Sequence, residues 1–516
     1  MPLATSCDLL AALRADLTAA RYTELSLRMQ LGESAADAYA QEFTAPALLA
    51  ARADAAAPCL RLLALFTLGE ELSGAEIDSL LPTLTSAGAQ ELGLLSHTEN
   101  GGCRALVELR PYQVHDELGE ADWWLASDLR EVATGKPLGP DHVMGVGGAS
   151  RTLAQLTPRT PVSSAADVGT GCGVQALHLA RHAKRVVATD VSRRALGFAS
   201  FNAALNGLAI ETRLGSLTEP LTGEEFALIV SNPPFVISPP GEDKHTYRET
   251  SHAGDALLQE LLTALPKHLA VGGNLVLLGN WEIPDNAAWD THPRAWLSAP
   301  GLPPLVSWVV QRDALDTLSY ARRWLRDGGI TDTSPQLPAR LCAYLTDFSS
   351  RGVSRIGFGY LFVRRLAAAL PGENITCEEL TGALAPRMAA HVTATLDESV
   401  RLAALSDHDL LAARCVRAQD VMERRHLLPG RPDSPLVIEL VQGAGFHRTL
   451  ALTPEEAALL GACDGELSVG QILAALGALL EEDDLAPRLL PAVRAWLRCG
   501  VLTLTQTEAP ANGEAS

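Results

Sequence analysis

At 516 residues the chain is longer than one ordinary hydrophobic core organises, and roughly two to four domains are expected. Apolar residues make up 47% and charged residues 20%, the balance of a soluble globular protein. No run approaches 18 uncharged apolar residues and the start lacks a basic segment leading into an apolar one, so neither a membrane span nor a secretory leader is expected.

The net charge of −20 divides unevenly: −12 over residues 1–135, +2 over 136–370 and −10 over 371–516. Acidic flanks make a poor footprint for a phosphate backbone. The nine cysteines, Cys7, Cys59, Cys103, Cys172, Cys342, Cys377, Cys415, Cys463 and Cys499, are scattered and include no CxxC. Such a set argues against a disulfide framework or a zinc cage and fits reduced thiols in the cytoplasm. His178 and His182 stand one helical turn apart, but with no third ligand or glutamate base beside them a plain helix face is the better reading, and no metal is expected.

In chain order, helical patterns at 57–68, 74–81 and 86–94 lead into a hairpin over 95–109 that turns at Asn100-Gly101-Gly102. Three helices and a hairpin suggest a winged-helix shape for an acidic N-terminal α+β domain, 1–135, closed by the linker GKPLGP at 135–140. From 136 to 370 short apolar runs at 186–190, 210–216, 226–232 and 273–279 alternate with helical patterns at 174–182, 193–205 and 254–269. That alternation predicts an α/β domain with a parallel, Rossmann-like sheet and helices on both faces. Runs at 305–311 and 356–364 complete the sheet around a helical insertion at about 313–350, with helices at 314–326 and 337–348. A C-terminal α+β accessory domain, 371–507, repeats the theme with a strand at 437–441, helices at 453–460, 469–479 and 489–497, and a closing strand at 501–504. The tail 508–516 is expected to be disordered.

The segment AADVGTGCGVQALHLA, 165–180, is a strand, a glycine turn and a helix start. Gly169, Gly171 and Gly173 let the backbone turn sharply and approach a ligand without a Cβ in the way. The GxGxxG spacing of dinucleotide binders is absent, and Asp167 at the head of the loop would repel a pyrophosphate while suiting a cation. Asp190 ends the next apolar run, where an acid can bind ribose hydroxyls. A nucleoside with a positive substituent fits both acids, which describes S-adenosylmethionine.

The run LIVSNPPF ends the strand at 226–232 with two prolines, placed 65 residues after Asp167. With DVGTGCG and ATD upstream, in order and at the usual spacing over 162–281, the chain resembles the class I S-adenosylmethionine-dependent methyltransferases of the "methyltransferase small" type. By that resemblance Asp167, Gly169, Thr170, Gly171 and Gly173 surround the methionine part and Asp190 the ribose. Ser216 stands where many relatives place an acid near the adenine amine, and 144–156, with its glycines and Arg151–Thr152, falls where relatives cap the cofactor. Asn232, Pro233, Pro234 and Phe235 form the reacting end: an amide oxygen and a rigid backbone carbonyl to accept both hydrogens of a planar NH2, and a ring to stack on it.

NPPF motifs serve methyltransferases of nucleic-acid base amines and of glutamine in peptide-release factors. An RNA base amine, adenine N6 or guanine N2, on RNA or a ribosome-associated target is the favoured substrate. A protein glutamine is the alternative, and a catalytically inactive cofactor-binding module is the third reading. Candidate substrate contacts are Lys244, His245, Tyr247, Arg248 and His252 after the motif, with Arg181, Lys184, Arg185, Arg193 and Arg194 near the first helices and Arg322, Arg323 and Arg326 in the insertion. For the basic residues, solvated helix faces are the better reading. Oligomeric state is not legible.

Overall fold

The computed structural model describes residues 3–505 apart from 42, 55, 137, 241–251, 373, 431–434 and 483. The chain divides into two compact units, Met1–Pro303 with Asp313–Leu361, and Pro304–Arg312 with Phe362–Ser516.

In the first unit the apolar runs become strands in the order Val353–Arg365, Leu269–Pro284, Phe226–Ser231, Ala165–Val168, Val186–Asp190, Glu211–Leu214. From Leu269–Pro284 to Glu211–Leu214 every neighbour is parallel. Parallel pairing requires crossovers, and the helices Val174–Ala180 and Arg193–Leu205 supply them, so the fold is a doubly covered α/β sheet. Val168 lies beside both Thr189 and Ser231, which brings three strand ends to one level. That level is the ligand-binding edge of such sheets.

Two expected elements differ in extent. The helix expected over 254–269 is an α-helix at Ala256–Ala264 followed by a 3-10 turn at Leu265–His268, because Pro266 has no N–H to continue the ladder. The expected 210–216 strand is confined to Glu211–Leu214, and the Gly215 N–H turns to the Asp190 carbonyl at 3.1 Å. The insertion forms two helices, Thr317–Asp327 and Leu337–Ser350, whose buried Tyr320, Leu325, Tyr344 and Phe348 pack with Ile237 and Ile356.

Ahead of the sheet, helices Pro58–Phe66, Gly74–Leu80 and Thr85–Glu91 are followed by the antiparallel strands Leu95–His97 and Gly102–Ala105, the arrangement expected from the sequence. A further hairpin, Glu108–Asp116 with Gly119–Ser127, and four N-terminal helices, Cys7–Ala19, Glu24–Leu31, Glu33–Ala40 and Ala45–Ala53, were not expected. The hairpin is bound to helix Arg193–Leu205 by two asparagines acting as a surrogate strand. Asn202 accepts from the Ala126 N–H at 2.7 Å and donates to the carbonyls of Ala126 at 2.9 Å and Cys172 at 2.8 Å. Asn206 bonds the Trp124 N–H at 3.0 Å and its carbonyl at 2.8 Å. Arg14 caps the end of the same helix through the Leu205 and Ala204 carbonyls at 2.9 and 3.1 Å.

The second unit pairs Leu305–Asp316 in parallel with Ile375–Glu379. It continues through helix Met388–Ala404 to two three-stranded sheets. One holds Arg414–Arg417, Asp464–Ser468 and Leu502–Leu504, and the other Val421–Leu427, Pro435–Gln442 and Thr449–Leu452. Helices Pro454–Ala462, Val469–Leu480 and Ala486–Arg498 fall where the sequence places them. Buried Arg448 anchors this unit on Glu378 at 3.0 Å.

Asn202→Ala deletes one acceptor and one two-bonded donor from a fully buried position. A loss of about 2–4 kcal/mol is expected in urea unfolding of the first unit. A change below about 0.5 kcal/mol would mean that solvent replaces these bonds.

Candidate active site

The glycine turn is shaped from beneath. The Asp167 carboxylate is buried and accepts the Thr170 hydroxyl at 2.5 Å and the Ala176 N–H at 3.0 Å. The Gly169 and Thr170 N–H groups both donate to the Thr189 carbonyl at 2.9 Å. Gly173 has φ +88°, and a Cβ there would stand 2.8 Å from the Ala199 Cα, so only glycine lets the two crossover helices close over the sheet.

Above the turn lies a cavity of about 600 Å³. Gly169, Thr170 and Gly171 floor it, and Asp190 stands at its side. Asp190 accepts from the Gly171 N–H at 3.0 Å and the Ser192 N–H at 2.8 Å, which fixes its carboxylate at the cavity wall. Gly215, Ser216 and Leu217 border the far end; Ser216 is exposed there, and Leu217 adopts φ +49°. At the opposite end stand Ser231, Asn232, Pro233 and Pro234. The Ser231 hydroxyl donates to the Val168 carbonyl at 2.7 Å, which ties the NPPF strand to the glycine strand. The Asn232 Oδ1 is buried and has no hydrogen-bond partner among the described residues.

Three sequence-derived residues sit elsewhere than expected. Asp167 does not border the cavity, because its oxygens are turned down into the loop and helix they organise. Gly173 faces Ala199 instead of the cavity. Phe235 lies outside the cavity wall, half-buried, with its ring edge-on to Trp324 at 6.3 Å between centroids. In the expected cap, Gly145 and Ser150 line the cavity, and Gln175 holds the Ser150 carbonyl at 2.7 Å. Arg151 turns away to Glu24 at 2.5 Å and the face of Tyr112 at 4.7 Å.

The wall at Asp141, His142 and Val143 had no signal in the sequence. It is held by Asp128, which accepts the Val143 N–H at 2.8 Å and pairs with Arg194. His252 stands at the cavity with Glu260 at 3.0 Å; Lys244, His245, Tyr247 and Arg248 lie outside the described residues. Arg181 pairs with Asp116, and Arg185 with Glu211 and Glu224. His178 is buried against the Tyr112 hydroxyl at 3.0 Å, and burial with the nearby Arg159 holds its pKa well below the usual imidazole value.

The cavity fits the group the sequence implies. A fixed carboxylate stands where two vicinal hydroxyls can be held, the glycine turn allows close approach, and a buried acceptor at the far end awaits a donor.

Burial pushes the Asp167 carboxyl up from 3.8 to about 7, partly offset by its bonds from Thr170 and Ala176. Burial raises Asp190 as well. Because the folded state holds the Asp167 proton more tightly than the unfolded chain, its stability contribution is complete below about pH 4 and is lost as pH rises through about 7. The melting temperature of the wild type is therefore expected to fall more steeply between about pH 5 and about pH 8 than that of Asp167→Asn. Parallel curves in the two proteins would refute this.

A family model described as the methyltransferase small domain matches residues 144–292, and one described as a domain of unknown function (DUF7059) matches 19–106. The release factor glutamine methyltransferase of Xylella fastidiosa is 42% identical over 128 residues, 23% of this chain and 46% of that protein. The ribosomal RNA small subunit methyltransferase C of Cronobacter sakazakii is 33% identical over 139 residues, 27% of this chain and 36% of that protein. The chain thus spans less than half the length of these two curated relatives. Among solved structures, a ribosomal protein L11 methylase from Lactobacillus delbrueckii subsp. bulgaricus aligns at 21% identity over 43% of this chain and 81% of that one, with a TM-score of 0.22. The glycine turn, the acid after the second strand and the NPPF strand end, gathered on one cavity, all fall within the residues 144–292 that match the methyltransferase small domain model.

Proposed function

We propose that the chain is an S-adenosylmethionine-dependent N-methyltransferase acting on a planar NH2 group, with an RNA base amine, adenine N6 or guanine N2, as its favoured substrate. The observation that carries the reading is the buried, unpartnered Asn232 Oδ1, set at the end of the cavity opposite Ser216. When bound, S-adenosylmethionine supplies a methyl group on a sulfonium. In this reading Asp190 holds the ribose hydroxyls, Gly169–Gly171 take the methionine part at close approach, and Ser216 and Leu217 flank the base.

Asn232 Oδ1 accepts one N–H of the target amine and the Pro233 carbonyl the other, with both acceptors fixed by consecutive prolines. Such an amine is a weak nucleophile because its lone pair is delocalised. Acceptors that draw on its N–H bonds favour the pyramidal nitrogen of the transition state more than the planar ground state. Alignment of the two reacting groups contributes on the order of 7–11 kcal/mol at best. With S-adenosylmethionine held there, its methyl carbon would pass from sulfur to the nitrogen positioned by Asn232 and Pro233, and the excess proton on that nitrogen would leave to water.

The RNA reading is supported by the aromatic surface beside the motif. Phe235 meets Trp324, and the Arg323 guanidinium lies 5.7 Å from the Trp324 ring and 5.5 Å from that of Phe358. Rings interleaved with a cation are what unstacked bases and their phosphates bind. The second reading, methylation of a protein glutamine, is favoured by the 42% identity to the Xylella protein. In either case 1–135 and 371–507 serve as accessory domains.

Asn232→Ala is expected to lower methyl transfer by about 10³-fold or more while cofactor affinity by calorimetry changes less than about threefold. A wild type that binds no cofactor would sink the enzyme reading. Labelled methyl groups offered to fractionated cell material are expected in RNA. Label that resists nuclease and is released by protease would move the assignment to protein, and cofactor binding with no label in any fraction would favour the inactive module. Trp324→Ala is expected to raise KM for RNA by about tenfold with kcat little changed.

A further inference from the structure

The strand Val421–Leu427 stands out in the second unit. It is an edge strand, paired on one side with Pro435–Gln442 and on the other with no strand among the described residues. Every side chain from Met422 to Leu427 is exposed, on both faces. Leu427, Leu428, Leu436 and Val437 add an exposed aliphatic end to the hairpin. A long, open edge of this kind is ordinarily blunted or covered.

The ladder tells which groups face outward. The Gly443 N–H donates to the Asp420 carbonyl at 2.9 Å, so Asp420 and Gly443 form a bonded pair. Bonded and non-bonded pairs alternate in an antiparallel ladder. The register Val421 to Gln442, Met422 to Val441, Glu423 to Leu440, Arg424 to Glu439 and Arg425 to Ile438 then sets the inward bonds at Met422 and Arg424. Val421, Glu423 and Arg425 turn their N–H and C=O groups to the open edge. The opposite side of Pro435–Gln442 agrees, since the Gln442 N–H goes to the Arg448 carbonyl at 2.9 Å.

We propose that this edge pairs antiparallel with the same strand of a second copy of the chain, about a two-fold axis at Arg424. In that register Glu423 is bonded opposite Arg425 of the second copy, and Arg425 opposite its Glu423. Outward-facing groups meet outward-facing groups, and opposite charges meet across the strands, the favourable cross-strand arrangement. Met422 then lies opposite the second copy's His426 and Val421 opposite its Leu427, which covers exposed apolar surface. The two Arg424 side chains face each other, and each keeps Glu439 as its cross-strand neighbour in its own hairpin. Registers centred on Glu423 or Arg425 also put a like-charged pair on the axis, but they form no Glu–Arg pair across the strands to offset it, whereas the Arg424 register forms two. The interface is isologous and closes on itself, so it yields a dimer and not a fibre.

The Glu423 and Arg425 side chains also pair with each other within one strand, so a charge swap of both preserves that contact and isolates the one between copies. Light scattering of the full chain at concentrations up to about 100 µM, the range of a small interface, reads the outcome. The wild type and the double variant Glu423→Arg/Arg425→Glu are expected at twice the single-chain mass of 54.7 kDa. Glu423→Arg alone and Arg425→Glu alone are expected at the single-chain mass. Arg425→Pro is expected there too, because it removes an outward N–H that the hairpin itself does not use. A wild type at the single-chain mass overturns the proposal and leaves the edge to a different occupant. A dimer that survives Arg425→Pro and both single swaps overturns it as well, by placing self-association elsewhere.

Discussion

The candidate site depends on one alignment: two parallel strands, adjacent in the sheet and distant in the chain, end at the same height. Val168 and Ser231 are register partners, and the Ser231 hydroxyl bonds the Val168 carbonyl at 2.7 Å. The next residue of one strand enters the glycine turn and that of the other is Asn232. A shift of one residue in either strand would move a turn or a buried acceptor out of the cavity and reverse every side chain on that strand. The sheet is therefore the instrument that sets the distance between the glycine turn and the acceptor.

The site is supported largely by residues that do not border the cavity. Asp167 holds the turn from below, Gly173 makes room for Ala199, and Asp128 carries the wall at Val143. Asn202 bonds the Ala126 and Cys172 carbonyls with one amide, so the N-terminal hairpin and the glycine turn are fixed to the same side chain. The hairpin is thus part of the scaffold of the site and not a hinged neighbour.

Much of this was legible because it is local. Proline pairs, a GxGxG turn and a strand-ending acid each carry their geometry in a few consecutive residues. The helices of the C-terminal part were legible for the same reason, since Thr453 and Ser468 are N-caps whose partners Glu456 and Gln471 lie three residues on. What was not legible depends on pairs far apart in the chain. Nothing near Asp167 in sequence says that its oxygens turn down to Ala176, and nothing near Arg151 names Glu24, 127 residues away. Asn202 and Asn206 read as ordinary helix polar residues until the hairpin they bind is known. Length does not explain why the four N-terminal helices were missed, since Cys7–Ala19 at 13 residues is longer than Pro58–Phe66 at 9; in Glu33–Ala40 small residues such as the alanines give little periodic contrast.

The insertion gives the fold a further property. The Ile237 N–H, two residues past Phe235, is buried and donates to the Tyr320 hydroxyl at 2.9 Å, while Asn280 of the neighbouring strand donates to that same oxygen at 3.3 Å. A descendant that lost Thr317–Asp327 would leave a main-chain donor stranded beside the acceptor motif and an amide unpaired on the next strand, each at a cost of about 1–3 kcal/mol. The insertion can drift in its exposed residues but cannot be excised cleanly. Heredity has to pass it on together with the prolines whose exit it secures.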